Sequence, residues 1–415
     1  VGDRPAGDAL IESLRSPFAR SLAPTGRSVP SGAPVTVNFD QGLPDPALFP
    51  VDLVRRALDE VLAEDAAGAL TYFGAGGPAD MRYGHLGLRE AIAERMTARD
   101  GRPITPDGIT LVHGSTDGLA LAVRTFLGPG EGAVVEQATY RHTRNFMAAT
   151  GAVVRSTPMD ADGLTIDGLE RTLDELAADG VPPKLLYTVP TFHAPTGTVL
   201  PLERRRAVVE LARSRRLVVL EDDCYHEFGY DGPPPPTLRA LDDAGLVVHS
   251  DSFSKYLAPG LRLGWLAGHP AAVDAITQVR QDFSVSQLMA RAVERIVRSG
   301  ALDAHVTQVR DAYRHKRDLT AALLREHCGE LVGFTTPPGG FFFWLRLHDR
   351  VDLDALAAGL AARGVAVRDG SWFTGDGSGR RHLRLSPIQL DDDTIARGLA
   401  LLGDALVDAT TEEAR

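Results

Sequence analysis

Between about residue 51 and residue 300 the chain alternates between two hydrophobic patterns. Short apolar runs sit inside GITLVHG (108–114), GAVVEQ (132–137), PKLLYTVP (183–190), RLVVLEDD (216–223) and GLVVHSD (245–251). Each is too short for a helix and apolar on consecutive positions, which predicts a strand buried on both faces. Between them lie stretches such as LERRRAVVELARSRR (202–216), whose pattern predicts intervening amphipathic helices. Strands and helices in this alternation predict an α/β fold with a mainly parallel central sheet sandwiched by helices. In such sheets ligands collect beyond the carboxyl ends of the strands. The unusual polar segments fall there: GSTDG (114–118), EQATY (136–140), TFHAPTG (191–197), EDDCY (221–225) and SDSFSK (250–255) each follow an apolar run directly.

The two ends read differently. Residues 1–35 are rich in Pro, Gly, Ser and Ala without a sustained period, which predicts an N-terminal arm. Order begins near VTVNFDQGLPDPALFP (35–50). After residue 280 a long helical stretch (285–328) is followed by GGFFFWLRL (339–347) and RHLRLS (381–386), which read as strands. The expected organisation is a large domain over 51–300 and a smaller α+β domain built from 36–50 and 301–415.

Composition narrows the function. The 415 residues are 44% apolar and 24% charged, ordinary for a globular enzyme with a large core. A net charge of -11 provides no general attraction to nucleic acid or to an anionic membrane. Two cysteines, Cys224 and Cys328, are too few for a disulfide framework and suit a reducing compartment. No apolar run reaches the length of a membrane span and no signal-peptide pattern opens the chain, so a cytoplasmic location is expected.

Lysine is scarce: of the 44 basic residues only Lys184, Lys255 and Lys316 are lysine. Lys255 alone lies among residues that resemble a site, with Ser252, Ser254 and Arg262 close by in sequence. Hydroxyls and a guanidinium suit a phosphate, and an amine beside them suits nucleophilic chemistry. Ser115 and Thr116 follow Gly114 at an expected helix start, where backbone N–H groups and the macrodipole favour an anion; helix capping also accounts for such residues. Asp222 ends an apolar strand with Tyr225 three residues on. A carboxylate so placed can keep a cationic ring nitrogen protonated. Adjacent acids also suit a metal, but His226 and Glu227 are the nearest further donors and the spacing is poor, so no metal is expected.

Together these segments resemble the fold-type-I pyridoxal-phosphate enzymes, specifically the class I/II aminotransferases, from about Phe39 to residue 405. SFSKYLAPGLRLGW (252–265) is similar to that family's cofactor-lysine segment almost letter for letter. The resemblance implies that Lys255 carries pyridoxal 5'-phosphate covalently and acts as the base at the substrate's Cα. It implies that Ser252, Ser254, Arg262, Ser115 and Thr116 hold the phosphate, that Tyr140 stacks on the ring, and that Asp222 and Tyr225 meet the ring nitrogen and phenolic oxygen. Arg384 is implied to grip the substrate carboxylate, with Gly42 beside it. A homodimer with composite sites is also implied, in which Tyr72 of the partner reaches the phosphate; Tyr83 is an alternative.

One position departs from the family. HAPTG places Ala194 where the family has an asparagine that bonds the phenolic oxygen near the substrate carboxylate. A methyl group cannot donate, a loss of about 1 kcal/mol that leaves the cofactor anchored and bears on which Cα bond is broken. His193 beside it reads as support rather than as a catalyst. Aminotransfer to a 2-oxo acid is the expected reaction. The alternative is elimination, or decarboxylation coupled to oxidative deamination, on an amino-acid-derived intermediate of specialised metabolism. Regulators with an aminotransferase-like domain carry a DNA-binding domain ahead of it, whereas about 35 weakly patterned residues stand there here. A nucleotide-binding enzyme is the other rival, but GAGGPA (74–79) follows no apolar strand and no GxxxxGK[ST] loop is present.

Overall fold

The computed structural model describes residues 13–15, 34–72 and 76–410. The arm expected over 1–35 falls largely outside these described residues, as do Gly74 and Ala75 of the GAGGPA segment. The central sheet has seven strands: β1 (Ile109–Val112), β2 (Gly132–Glu136), β3 (Val153–Thr157), β4 (Pro183–Thr188), β5 (Val218–Asp222), β6 (Val247–Ser252) and β7 (Gly264–Ala267). Their spatial order is β1-β7-β6-β5-β4-β2-β3. β3, β2, β4, β5 and β6 pair in parallel, and β7 runs antiparallel between β6 and β1. The five apolar runs of the sequence are all strands of this sheet. β3 and β7 were not legible there: β3 is an edge strand carrying Arg155 and Ser156, and β7 is four residues long.

Alternation along each strand builds two cores. Val135, Leu185, Tyr187, Leu220 and Val248 point to one face, where Leu119, Ala122 and Val123 of the helix Ser115–Phe126 cover them. Val134, Leu186, Val219 and Val247 point to the other, under Val208, Leu211 and Ala212 of the helix Leu202–Arg215. The main helices are α1 (Val51–Ala69), α2 (Leu86–Asp100), α3 (Ser115–Phe126), α4 (Arg141–Ala149), α5 (Leu202–Arg215), α6 (Gln287–Arg298), α7 (Ala301–Cys328) and α8 (Asp392–Asp408).

A second sheet, in spatial order Val332–Gly333, Phe343–Leu347, His382–Leu385 and Arg368–Asp369, is antiparallel. α8 packs on its core through Ile395, Leu399, Leu402 and Leu406, one helical face. α7 ties the two bodies together. Its 28 residues span about 42 Å; Leu302, Val306, Val309 and Tyr313 lie in the core with α1, α2 and α6, whereas Ala321, Leu324 and Cys328 lie with Phe39 and Phe343. The segment before α1 straps across: Val37–Asn38 pairs in parallel with Val365–Ala366, and Lys316 Nζ donates to Asp45 at 2.6 Å. Among the described residues no helix is long and apolar enough to cross a membrane.

One buried cation sets the 190–200 loop. Arg205 of α5 is fully buried and donates to the carbonyls of Pro190 (2.7 Å), Leu200 (2.8 Å) and Pro236 (3.2 Å) and to Thr191 Oγ1 (3.0 Å). Removing it leaves several buried acceptors bare. Arg205→Met is expected to cost about 3–5 kcal/mol in urea unfolding with an unchanged m-value.

Candidate active site

Parallel strands deliver their carboxyl ends to one edge of the sheet, and the antiparallel β7 begins at that same edge. The Lys255 segment is therefore a hairpin loop between β6 and β7. Ser252 faces Gly264 in the ladder, and Phe253 N donates to Leu263 O. Lys255 and Arg262 are both brought beside Asp222 (end of β5), Tyr140 (after β2) and Gly114 (after β1).

The amine points at the N-terminal segment. Lys255 Nζ donates to Gly42 O at 2.9 Å and lies 5.7 Å from the ring centroids of Tyr225 and Phe341. Burial lowers its pKa; Cys224 and Asp222 oppose that, and Arg384 adds to it. A lowered amine has more of its free, nucleophilic form near neutrality. Of the other lysines, Lys184 is 3.9 Å from Glu131, and Lys316 is bound to Asp45 and the Ile388 carbonyl.

Asp222 is buried, and Tyr187 donates to its Oδ2 at 2.9 Å while Oδ1 is buried with no hydrogen-bond partner. Burial pushes its pKa up to about 6, against the Tyr187 bond. Tyr225 is buried with its ring edge-on to Phe341 (5.2 Å) and Phe342 (5.6 Å).

An anion cradle adjoins these groups. Gly114 has φ +85° and its N–H side opens α3, which begins with Ser115 and Thr116. A Cβ on Gly114 would lie 2.9 Å from the Arg262 guanidinium, so glycine permits the approach. Arg262 itself has φ +51° and donates to His113 O at 2.5 Å. Ser252 Oγ and Ser254 Oγ are 2.8 Å apart, and Thr116 Oγ1 is 3.5 Å from Tyr140 OH. Hydroxyls, a guanidinium and a helix N-terminus form a donor set suited to phosphate.

Arg384 lies in the opposite wall. Its guanidinium carbon is 4.8 Å from the Phe342 ring and 5.0 Å from the Phe373 ring, Nη2 donates to Asp40 O, and Nε is buried without a partner. Burial brings its pKa down to about 10. Gly42 lies close: a Cβ there would be 2.7 Å from the Phe342 ring and 4.0 Å from Arg384 Nη1.

Three sequence candidates stand apart. Tyr72 is 70% exposed, its ring 5.1 Å from that of Phe283, also exposed. Tyr83 OH donates to Asp274 at 2.7 Å within its own chain. Ala194 is partly buried against the core that holds Tyr225 and Phe342, and His193 beside it is clamped, Nε2 to Glu136 at 3.0 Å and Nδ1 to Thr196 Oγ1 at 2.8 Å. Sequence reading missed Tyr187, Asp40, Phe342 and Phe373. The strand alternation alone carried the signal for Tyr187, since it places residue 187 on the same face as Leu185.

Pyridoxal phosphate fits these residues. The Oδ1 of Asp222, which accepts no hydrogen bond from a described residue, suits a cation, the cradle suits an anion, and a lysine whose pKa burial lowers lies near Asp222. The family model for aminotransferase class I and II matches residues 56–402, and the chain belongs to that family. An aromatic-amino-acid aminotransferase of Thermococcus litoralis is 32% identical over 375 residues, covering 89% of this chain and 88% of that one. The crystal structure of Pyrococcus horikoshii kynurenine aminotransferase in complex with PMP is similar with a TM-score of 0.88 at 31% identity, covering 98% of each chain. An HTH-type transcriptional regulator of Bacillus subtilis, YisV, is 28% identical over 84% of this chain and 69% of its own length. The protein is a pyridoxal-phosphate-dependent aminotransferase acting on amino acids. These relatives do not favour elimination or decarboxylation-coupled oxidation.

The Asp222 shift has a sign that can be measured. Its folded pKa of about 6 lies above the unfolded value of about 3.9, so the native state holds the proton more tightly. Asp222 therefore makes the cofactor-free protein lose stability as pH rises from about 4 to 6, by at most about 3 kcal/mol. In urea unfolding across this window, Asp222→Asn is expected to gain on the wild type by that amount, the difference levelling off above pH 6.

Proposed function

We propose that this aminotransferase uses Lys255 as its cofactor-bearing and proton-moving residue, with an amino acid as donor and a 2-oxo acid as acceptor. The observation that carries the reading is that Asp222, with an oxygen that accepts no hydrogen bond from a described residue, and Arg384, with a buried Nε that likewise has no partner among them, both act electrostatically on Lys255. Bound there, pyridoxal phosphate supplies an aldehyde for the amine and an electron-withdrawing ring for the electrons left at Cα. Ser115, Thr116, Ser252, Ser254 and Arg262 hold its phosphate, and Tyr140 packs on its ring. Asp222 keeps the ring nitrogen protonated, and Tyr225 bonds the phenolic oxygen. Arg384 holds the substrate α-carboxylate with Gly42 and Ala194 beside it, and Lys255 Nζ takes the Cα proton. Phe341, Phe342 and Phe373 exclude water from that carboxylate.

Residues 51–300 serve as the cofactor-binding body and 36–50 with 301–415 as the smaller lobe. A homodimer is supported by the exposed Tyr72 and Phe283 rings, with Tyr72 reaching the partner's phosphate. Tyr83 is already bonded within its own chain, which favours Tyr72. Two free, buried cysteines support a cytoplasmic location.

Borohydride reduction of the purified protein is expected to fix one cofactor mass on the peptide containing Lys255. Lys255→Ala is expected to lose that mass and to lower amino transfer at least a thousandfold; equal turnover by the variant would overturn the reading. Tyr72→Ala is expected to raise the cofactor dissociation constant about tenfold, read by cofactor fluorescence after dialysis, and Tyr83→Phe to leave it unchanged.

A further inference from the structure

A cavity of about 870 Å³ opens between α2, α6, α7 and the loop 226–234, and none of the residues assigned above to the cofactor or the substrate lines it. Five arginines and three carboxylates do, so the balance of charge decides what it can take. Each of those carboxylates is already engaged. Glu227 pairs with Arg95 at 2.7 Å, Asp303 pairs with the same guanidinium, and Glu94 lies 3.4 Å from Arg298. Arg298 is held further by Glu294 and Glu90, and Arg99 by Asp100. His226, also in the wall, has Nδ1 2.8 Å from Asp223.

Two arginines are left over. Arg310 and Arg314 lie four residues apart on α7 and so share a face, with Cβ atoms about 5–6 Å apart. Arg310 makes no hydrogen bond or ion pair with any described residue. Arg314 has Asp311 at 3.4 Å in a solvent-exposed pair, which holds it weakly, and its Nε is buried with no hydrogen bond among the described residues. Asp231 also feels Arg314, but Arg317 engages both of its oxygens, at 2.8 and 2.9 Å. Pro233 and Pro234 give the cavity a stiff wall, and Ala91, Ala98 and Val297 an apolar one.

The loop that closes this cavity is tied to the cleft. It follows Tyr225 directly; Gly229 bridges Gly339, Tyr230 N donates to Pro338 O at 2.9 Å, and Tyr230 OH donates to Gly340 O at 2.7 Å. The next two residues, Phe341 and Phe342, pack on Tyr225, and Phe342 also packs on Arg384. We propose that this cavity is a regulatory site for a diphosphate group, free or carried on an organic molecule, gripped by Arg310 and Arg314. A guanidinium offers a planar fork of donors that fits phosphate oxygens two at a time, and two forks one turn apart fit adjacent phosphates. The apolar wall leaves room for an organic part. Binding acts on Phe342 and Arg384 through the 226–234 loop and residues 338–340, and so on substrate affinity. That regulatory part rests on the reading of Arg384 given above.

The test uses the holoenzyme in about 0.1 M salt, with pyrophosphate and ADP as calorimetric probes and orthophosphate as the control. The wild type is expected to bind both probes at least about tenfold more tightly than orthophosphate. The double variant Arg310→Met with Arg314→Met, its cofactor absorbance and basal activity retained, is expected to weaken that binding at least about tenfold, and the double change to Lys to weaken it less. Arg384→Met is expected to keep it, which separates this cavity from the cleft. Tighter binding of ADP than of pyrophosphate identifies an organic diphosphate as the ligand, and equal binding identifies the diphosphate alone. Pyrophosphate is expected to change the KM for the amino donor at least about twofold in the wild type and not in the double variant. No binding by the wild type, binding undiminished in the double variant, or binding lost in Arg384→Met overturns the site. Binding with an unchanged KM overturns its regulatory role. Failure to exchange amino groups while the cavity still binds pyrophosphate overturns the aminotransferase reading instead.

Discussion

Asp222 is buried at the end of β5 with one oxygen bonded to Tyr187 and the other accepting no hydrogen bond from a described residue, an arrangement that penalises the charged form and that a neighbouring cation would relieve. The surroundings are organised around that requirement. β4 aims Tyr187 at one of the Asp222 oxygens. The hairpin between β6 and β7 brings Lys255 near enough for Asp222 to oppose the lowering of its pKa by burial. Tyr140 feels Asp222 and Arg262 together, which places the phosphate cradle and the buried acid in one electrostatic neighbourhood.

The second organising feature is the distribution of guanidiniums. In a chain with three lysines, arginine does both structural and recognition work, and the partners separate the two. Arg205 donates to three carbonyls and a hydroxyl and braces a loop. Arg368 is paired with Asp40 through Nε and Nη2. Arg384 has a buried Nε without a hydrogen bond among the described residues, beside the rings of Phe342 and Phe373, and Arg141 stacks on Trp372. An arginine held by its face but not by its edge is rigid and still able to bind, the condition that lowers the entropic cost of recognising a carboxylate.

The lobes are joined so that the site is assembled from both. α7 runs through two cores, and the 36–50 segment crosses from the small sheet, past Lys255 at Gly42, to Tyr313 and Lys316 at Asp45. A change in lobe position would therefore move Gly42 and Arg384 relative to Lys255.

Much of this was legible in the linear chain. Consecutive apolar residues followed by small polar ones marked the strand ends that meet at the site, because a strand buried on both faces has little choice of residue and its carboxyl end opens on solvent. SFSKYLAPGLRLGW singled out Lys255 and Arg262 because a lysine, two hydroxyls and an arginine stand together there in sequence. The direction of β7 was not legible, since four apolar residues read the same in either sense. The bond from Tyr187 to Asp222 was not either, nor was the clamp of Asp40 on Arg368, across 328 residues. The sequence by itself determined which local segments carry chemistry, since those patterns are set by neighbours along the chain. Only the tertiary structure decided which oxygen of Asp222 stays bare and which arginine edge stays open, because hydrogen-bond saturation depends on groups that folding alone brings within reach.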